Sequence, residues 1–267
     1  MSNYLDISDE IYALGEQTEH EIAPYFSRID RICDRNTEKV LAAFRKNRVS
    51  DNLFAGTTGY GYDDAGRDRL DQIYADIFGT EAALVRIGFV NGTHALCCAM
   101  FSAVKTGDMV LSVTGAAYDT LQNTITGDQC GSMKNYGIGY RQVEMKDGLP
   151  DLPAIEAAAG DPAIKLVFIQ RSKGYAMRET LSCEQIGEIC DVVRRVNPSA
   201  VIMVDNCYGE FVEETEPAQA GADLIAGSLI KNPGGGLAPM VQPHSPPIPG
   251  AVSRKAAFST KSARPAI

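Results

Sequence analysis

Two spacings of apolar residues alternate along the chain and predict its secondary structure. In residues 7–48, apolar side chains recur every three or four positions among charged ones, which predicts helix, and Pro24 is expected to divide it into two. Short continuous apolar runs predict strands at residues 82–90, 109–113, 138–143, 166–170, 201–204 and 224–226. Helical patterns separate some of them, in a segment closing at Gly79 and at residues 95–104, 152–159 and 183–196. This alternation indicates an α/β fold with a parallel, doubly wound sheet.

Two ionisable residues follow predicted strands. Asp205 ends the apolar run at residues 201–204, and Lys231 comes shortly after the run at residues 224–226. Because ligands bind at the carboxyl ends of the strands in open α/β sheets, we expect the carboxylate and the amine to share one crevice. Pyridoxal phosphate requires such a pair, a lysine for its Schiff base and an anion beside its pyridine nitrogen. A helix-capping aspartate and a solvated surface lysine would explain the pair alone equally well.

Three further residues are candidates for cofactor binding. Gly92 and Thr93 precede a predicted helix, where free N–H groups and the positive helix end could hold a phosphate. An ordinary helix cap that uses Asn91 is the alternative. Tyr118, just after a predicted strand, could lie flat on a pyridine ring or be a half-buried aromatic residue.

The glycine-rich stretch at residues 52–71 lacks the spacing of a dinucleotide fingerprint and of a P-loop. A nicotinamide oxidoreductase is therefore disfavoured. Tyr60, Tyr62 and Arg67, which lie in this stretch, could contact a phosphate or merely pack.

Composition narrows the function classes further. A net charge of -9 over 267 residues argues against nucleic-acid and membrane-surface partners, which select a basic face. No run approaches the ~20 apolar residues of a membrane span. The amino terminus is acidic and has no signal-peptide pattern, and seven scattered cysteines suggest reduced thiols, so we expect a cytoplasmic protein. With three histidines, no metal site is expected.

Six short blocks run in order through most of the chain: GYGYDDAGRD at residues 59–68, NGTHA at 91–95, YDTL at 118–121, QRSKGY at 170–175, VDNCYGEF at 204–211 and GSLIKNPGGG at 227–236. Together they resemble the pyridoxal-phosphate enzymes of aspartate-aminotransferase-like fold. Within that group the chain is most similar to the methionine gamma-lyase-like family, whose members are often labelled aluminium-resistance proteins. The resemblance implies a type I large domain with a mostly parallel sheet and a helical amino-terminal arm.

The resemblance also implies roles for single residues. Lys231 would be the Schiff-base lysine and general base, and Asp205 the partner of the pyridine nitrogen. Tyr118 would stack on the ring and be a candidate acid at the leaving sulfur. The phosphate would be held by Gly92, Thr93 and Ser228, with Tyr62 and Arg67 reaching it from a neighbouring subunit.

Other positions are implied less directly by the same resemblance. Arg171, Ser172 and Tyr175 would line the pocket. Ile230 stands where the broader cystathionine-lyase group carries a hydroxyl, so that one phosphate contact is expected to be missing or replaced.

The chain departs from the family pattern after Pro239. Four prolines crowd into residues 243–249, no acidic residue follows Asp223, and neither a strand nor a helix pattern appears. We therefore expect an arm at residues 1–50, an incomplete cofactor domain at 51–239, and a disordered or frameshifted tail at 240–267. The carboxyl-terminal small domain, which supplies the family's substrate-binding arginine, is expected to be missing.

The resemblance implies a pyridoxal-phosphate-dependent carbon–sulfur lyase acting on a small sulfur amino acid, similar to methionine gamma-lyase or cystathionine beta-lyase. In the full-length family form it implies a homodimer or homotetramer. The alternative is a catalytically inactive remnant that keeps the cofactor-domain fold, and intact Lys231 and Asp205 do not distinguish the two.

Overall fold

The computed structural model describes residues 7–55, 64–234 and 256–260. Six helices occur in this part of the chain: α1 (Asp9–Lys46), α2 (Ala65–Phe78), α3 (Gly92–Ala103), α4 (Asp119–Thr126), α5 (Leu152–Ala159) and α6 (Cys183–Val196). Seven strands accompany them: β1 (Ala82–Arg86), β2 (Met109–Ser112), β3 (Gly139–Gln142), β4 (Ile164–Gln170), β5 (Val201–Asp205), β6 (Leu224–Ser228) and β7 (Ala256–Thr260). Short 3-10 helices occur at Asp51–Phe54 and Asn232–Gly234.

All seven strands form one sheet in the order β1-β7-β6-β5-β4-β2-β3. Neighbours from β6 to β3 pair in parallel, while β7 is antiparallel to both β1 and β6. The prediction of a mostly parallel α/β sheet is confirmed. Such a sheet buries both faces, which explains why its central strands are continuously apolar.

Successive residues of the central strands point to opposite faces of the sheet and enter two separate cores. In β4, for example, Val167 and Ile169 join the core packed by α2, α5 and α6. Leu166 and Phe168, which alternate with them along the strand, join the core packed by α3 and α4. The helices therefore cover the sheet on both sides, as a doubly wound fold requires.

Helix α1 is one continuous helix of 38 residues with Pro24 inside it, so the prediction of two helices is wrong. Proline removes one N–H donor and deprives the carbonyl four residues earlier, that of His20, of its helical partner. Both residues lie on the exposed surface, where water can satisfy that carbonyl. The carboxyl-terminal part of α1 packs on the domain through buried Asn36 and Ala43, whereas Leu14 and Phe26 stay exposed.

Strand β7 lies in the segment that was expected to contain no strand, and that expectation is wrong for residues 256–260. The strand fills the position between β1 and β6, whose facing backbone groups would otherwise be unpaired. A five-residue strand with the sequence AAFST carries too short a pattern to be recognised by its spacing. The remaining residues of the tail lie outside the described part of the chain.

Among the described helices, none combines the length and the apolar character that a membrane span needs. The division into an arm, a cofactor domain and a tail remains a prediction.

Candidate active site

The candidate site lies where β5 and β6 end side by side. Asp205 is the last residue of β5, and Ser228 is the last residue of β6. The two strands pair in parallel with Asp205 opposite Ala226, so both ends face the same edge of the sheet. Lys231 follows in a tight turn, in which its N–H donates to the Ser228 carbonyl oxygen at 2.9 Å. The carboxylate and the amine therefore reach one edge from adjacent strands.

Asp205 is only 3% exposed, and burial raises the pKa of its carboxyl group to about 6. The pKa is held down by hydrogen bonds from Cys207 and by the positive charge of Lys231. The Cys207 N–H donates to Asp205 Oδ1 at 3.0 Å. The carboxyl group is thus ionised at neutral pH in spite of its burial, and it supplies a fixed negative charge beneath the site.

Lys231 has Tyr208 as its direct partner. Its Nζ donates a hydrogen bond to the Tyr208 hydroxyl and lies 3.8 Å from the centroid of the Tyr208 ring. An ammonium above an aromatic face is attracted by the ring as well as by the hydroxyl. Tyr208 adopts a left-handed backbone conformation with φ of 65°. The turn after β5 therefore both positions and partly covers the amine.

The start of α3 packs against the same edge. Asn91 caps this helix by accepting the His94 N–H at 2.8 Å, as the simple cap interpretation expected. A Cβ added at Gly92 would lie 3.5 Å from Ser228 Cβ and 3.8 Å from Cys207 Sγ. The first N–H groups of a helix have no partner within the helix, so Gly92 and Thr93 present donors beside the Ser228 hydroxyl.

Tyr118 joins the start of α3 to the sheet. Its hydroxyl is hydrogen-bonded to Thr93 Oγ1 at 2.7 Å, and its N–H donates to Gln170 Oε1 at 2.9 Å. Burial raises the pKa of the Tyr118 hydroxyl, the hydrogen bond to Thr93 lowers it, and the charge of Asp205 raises it. The phenol therefore keeps its proton at neutral pH.

This set of groups fits pyridoxal phosphate chemically. Helix-end N–H groups and a serine hydroxyl suit a phosphate, a buried carboxylate suits a pyridine nitrogen, and a lysine suits an aldehyde. At Gly92 an added Cβ would meet atoms only at ordinary contact distance, so the missing side chain leaves a space between α3 and β6. The structure thus brings together six of the predicted residues: Gly92, Thr93, Tyr118, Asp205, Ser228 and Lys231.

Comparison with known proteins agrees with this geometry. The sequence model of a family described as methionine gamma-lyase matches residues 11–242. The chain belongs to the methionine gamma-lyase family.

Relatives in the methionine gamma-lyase family include the uncharacterised protein YnbB of Bacillus subtilis, 50% identical over 226 residues, which are 83% of this chain and 53% of YnbB. A carbon–sulfur lyase involved in aluminium resistance from Clostridium novyi has a similar structure, with a TM-score of 0.85 and 42% identity over 96% of this chain and 58% of that one. The chain therefore spans little more than half the length of these relatives.

A more distant structure shows the fold alone. The pyridoxal-5'-phosphate-dependent protein YhfS of Escherichia coli is 14% identical with a TM-score of 0.62, over 88% of this chain and 55% of that one. The sheet and its two helical layers thus have the aspartate-aminotransferase-like fold that the sequence predicted.

The resemblance places three further residues at the pocket, and their described contacts are as follows. Arg171 is only 1% exposed, and its guanidinium donates to Asn206 Oδ1 at 2.8 Å and to the Gly209 carbonyl at 2.7 Å. It holds the turn after β5 from inside, where the buried carboxylate of Glu216 lies 3.8 Å from its guanidinium, and its place in the pocket lining remains a prediction. Tyr175 is 97% exposed. The backbone carbonyl oxygen of Ser172 accepts a hydrogen bond from the Arg178 guanidinium.

The other predicted residues are Arg67, Tyr62 and Ile230. Arg67 is in the first turn of α2, where its N–H donates to Asp64 Oδ1 at 3.0 Å. Tyr62 lies outside the described residues. Contacts of both residues with a phosphate on a neighbouring subunit remain predictions. Ile230, in the lysine turn, is half exposed.

Sequence reasoning missed the roles of Cys207, Tyr208 and Glu210. All three belong to the block VDNCYGEF, which was used to recognise the family and not to assign contacts. Only their position shortly after Asp205 within that block could have signalled them, since residues that follow a strand-end carboxylate share its edge of the sheet.

Proposed function

We propose that this methionine gamma-lyase family chain forms the cofactor-binding part of a pyridoxal-phosphate-dependent carbon–sulfur lyase. The observation that carries the proposal is that Asp205 ends β5 while Lys231 follows the end of the neighbouring parallel strand β6 by three residues, so that the carboxylate and the amine reach the same edge of the sheet. The donors at the start of α3 support it, because they lie beside Ser228 at the same edge. The Clostridium novyi relative, called a carbon–sulfur lyase, supports the reaction class.

Each group has a defined task in this proposal. Gly92, Thr93 and Ser228 would hold the phosphate, and the Asp205 carboxylate would keep the pyridine nitrogen protonated. Pyridoxal phosphate, when bound, supplies an electron sink for the negative charge that develops at the substrate α carbon. Lys231 Nζ takes the α-proton as general base, and the Tyr208 hydroxyl keeps that amine over the site.

Tyr118 would complete the elimination at sulfur. As the carbon–sulfur bond breaks, the electron pair leaves with sulfur, and the Tyr118 hydroxyl can protonate it to a thiol. Burial favours this role, because it keeps the phenol protonated until the leaving group appears. The substrate we propose is a small sulfur amino acid, methionine or cystathionine. Elimination from methionine would break the bond at its γ carbon, whereas cystathionine has carbon–sulfur bonds at both a β and a γ carbon.

The experiment has two stages with the same purified chain. Borohydride reduction in the presence of pyridoxal phosphate, followed by peptide mass mapping, is expected to give a pyridoxyl adduct on the peptide with Lys231 and none in Lys231→Ala. Release of thiol and 2-oxo acid from methionine and from cystathionine is then measured. The absence of an adduct on folded protein would overturn the cofactor assignment, whereas an adduct without turnover would favour the inactive alternative.

A further inference from the structure

Glu210 is a buried acid to which the proposed chemistry gives no task. It lies five residues after Asp205 and is only 1% exposed. Its Oε1 accepts the Ser228 N–H at 3.3 Å, while its Oε2 has no hydrogen-bond partner among the described residues. Burial raises the pKa of this carboxyl group to about 8, and the nearby charges of Asp205 and Glu216 add to the effect. At neutral pH Glu210 is therefore a neutral carboxylic acid.

Glu210 touches the segment that carries Lys231 at both ends. Its side chain binds the backbone of Ser228, three residues before the lysine. Its backbone carbonyl oxygen accepts from Asn232 Nδ2 at 2.9 Å, one residue after the lysine. The segment between them is closed by the hydrogen bond from the Lys231 N–H to the Ser228 carbonyl oxygen. One residue thus fixes a five-residue turn from two sides.

Gly227 shows how closely the Glu210 side chain crosses β6. A Cβ at Gly227 would lie 2.6 Å from Glu210 Oε1, closer than two such atoms can approach. A side chain at residue 227 would therefore require the Glu210 carboxyl group to shift.

A small cavity lies beside the acid. It has a volume of about 10 Å³ and is lined by Glu210 together with Tyr74, Phe78, Asn206 and Ile225. A space of roughly this size holds one water molecule when polar groups surround it. Tyr74 and Asn206 are polar groups of that kind, and a water here would serve the unpartnered Oε2. The acid can then remain neutral with all of its hydrogen-bonding groups satisfied.

We propose that Glu210 is a positioning residue that holds Lys231 at the site by fixing the turn at residues 228–232 at both ends. The catalytic value of this contact rests on the proposed function, because a fixed lysine matters for chemistry only if that lysine holds the cofactor. The contact itself is a property of the chain without any ligand. It can therefore be tested separately.

The test is amide hydrogen exchange of the peptide at residues 227–234 in the ligand-free chain. Glu210→Ala is expected to speed exchange of the Ser228 and Lys231 amides about tenfold, as the loss of roughly one hydrogen bond predicts. Glu210→Gln is expected to restore slow exchange, since its amide oxygen can still accept from Ser228. Glu81→Ala, at an exposed glutamate, is the matched control. Unchanged exchange at residues 164–170 shows that the fold is intact.

The same variants are then compared in the borohydride reaction. Glu210→Ala is expected to need about ten times more pyridoxal phosphate for half-maximal labelling of Lys231, and Glu210→Gln about as much as the unchanged protein. If the unchanged protein forms no adduct, the proposed function fails, while the exchange experiment still decides the positioning role. Exchange in Glu210→Ala equal to that of the unchanged chain would overturn the inference.

A second variant avoids the buried acid, in case Glu210→Ala does not fold. Asn232 lies on the surface, so Asn232→Ala removes one of the two contacts without opening the core. Faster exchange at Lys231 in this variant would support the inference. Exchange equal to that of the unchanged chain would show that the turn does not depend on Glu210 at this end, and would contradict it.

Discussion

The Lys231 amine donates a hydrogen bond to the Tyr208 hydroxyl and lies 3.8 Å from the centre of the Tyr208 ring. The residue that holds the amine is therefore contributed by the turn that follows Asp205. Lysine and carboxylate come from different strands, but the turn after β5 contacts both. A change in that turn should alter the two groups together.

Tyr208→Phe tests the hydroxyl and leaves the ring in place. Loss of a hydrogen bond worth about 1 kcal/mol should slow formation of the Lys231 adduct roughly fivefold, as measured by borohydride trapping. Tyr175→Phe is the matched control, because the Tyr175 hydroxyl lies on a residue that is 97% exposed. An equal effect of both changes would contradict a specific role for Tyr208.

Asp205→Asn tests the buried charge. The amide keeps the shape of the side chain but cannot hold a pyridine nitrogen in its protonated form. Turnover of a sulfur amino acid should fall by on the order of a hundredfold, while the Lys231 adduct should still form. The two readouts are the steady-state rate and the mass of the labelled peptide. Undiminished turnover would show that the carboxylate is not the partner of the ring.

Gly92→Ala tests the space at the start of α3. The new Cβ would meet Ser228 and Cys207 at ordinary contact distances, so stability should be kept or increased by about 0.5–1 kcal/mol. Affinity for pyridoxal phosphate should nevertheless fall at least roughly tenfold, because the methyl group occupies the space proposed for the phosphate. Gly15→Ala, in α1 with open space around it, is the control and should leave affinity unchanged.

The raised pKa of Glu210 predicts a pH dependence of stability. Its folded-state pKa is about 8, whereas its ordinary value is 4.5, so the folded protein binds the extra proton between these values. The contribution of this proton to the free energy of unfolding is complete below about pH 4.5 and is lost as the pH rises through about 8. The loss is no more than about 1.4 kcal/mol per pH unit. Urea unfolding at several pH values should show this decline, and Glu210→Gln should flatten it. A slope that the substitution leaves unaltered would contradict burial of a neutral acid.

Arg171→Leu tests the support beneath the turn. Removing the guanidinium leaves Glu216 buried and Asn206 without its donor, which should lower the free energy of unfolding by about 3–5 kcal/mol. Arg35→Leu removes an exposed ion pair with Glu38 and should cost less than about 1 kcal/mol. Denaturant unfolding of both variants gives the comparison. A similar decrease in the free energy of unfolding in both variants would contradict a stabilising role for Arg171.

Much of the sheet could be predicted because buried parallel strands are continuously apolar. The run at residues 201–204 corresponds closely to β5, whereas the run at 82–90 overshoots β1, since Ile87 and Val90 lie exposed beyond its end. Helix α4 was not predicted, because six of its eight residues are polar and its two buried apolar residues, Leu121 and Ile125, make too short a pattern.

For the site, the strand-end rule identified Asp205 and Lys231, the predicted helix start identified Gly92 and Thr93, and the resemblance added Ser228. The contacts of Arg171 and Glu210 could not be predicted. They depend on side chains that cross between neighbouring strands, and no pattern along the sequence records such a crossing. A fully buried guanidinium such as that of Arg171 is uncommon, so its burial could not be expected from the residue type.

Among the strands that the structure describes, β1 pairs with β7 alone, and β7 separates it from β6. The backbone groups of residues 82–86 can therefore pair with a neighbouring strand only once residues 256–260 have been synthesised. During synthesis on the ribosome, β2 to β6 can pair with one another while β1 remains unpaired. Contacts of such long sequence separation form slowly, so β1 is expected to take its place in the sheet after the central strands.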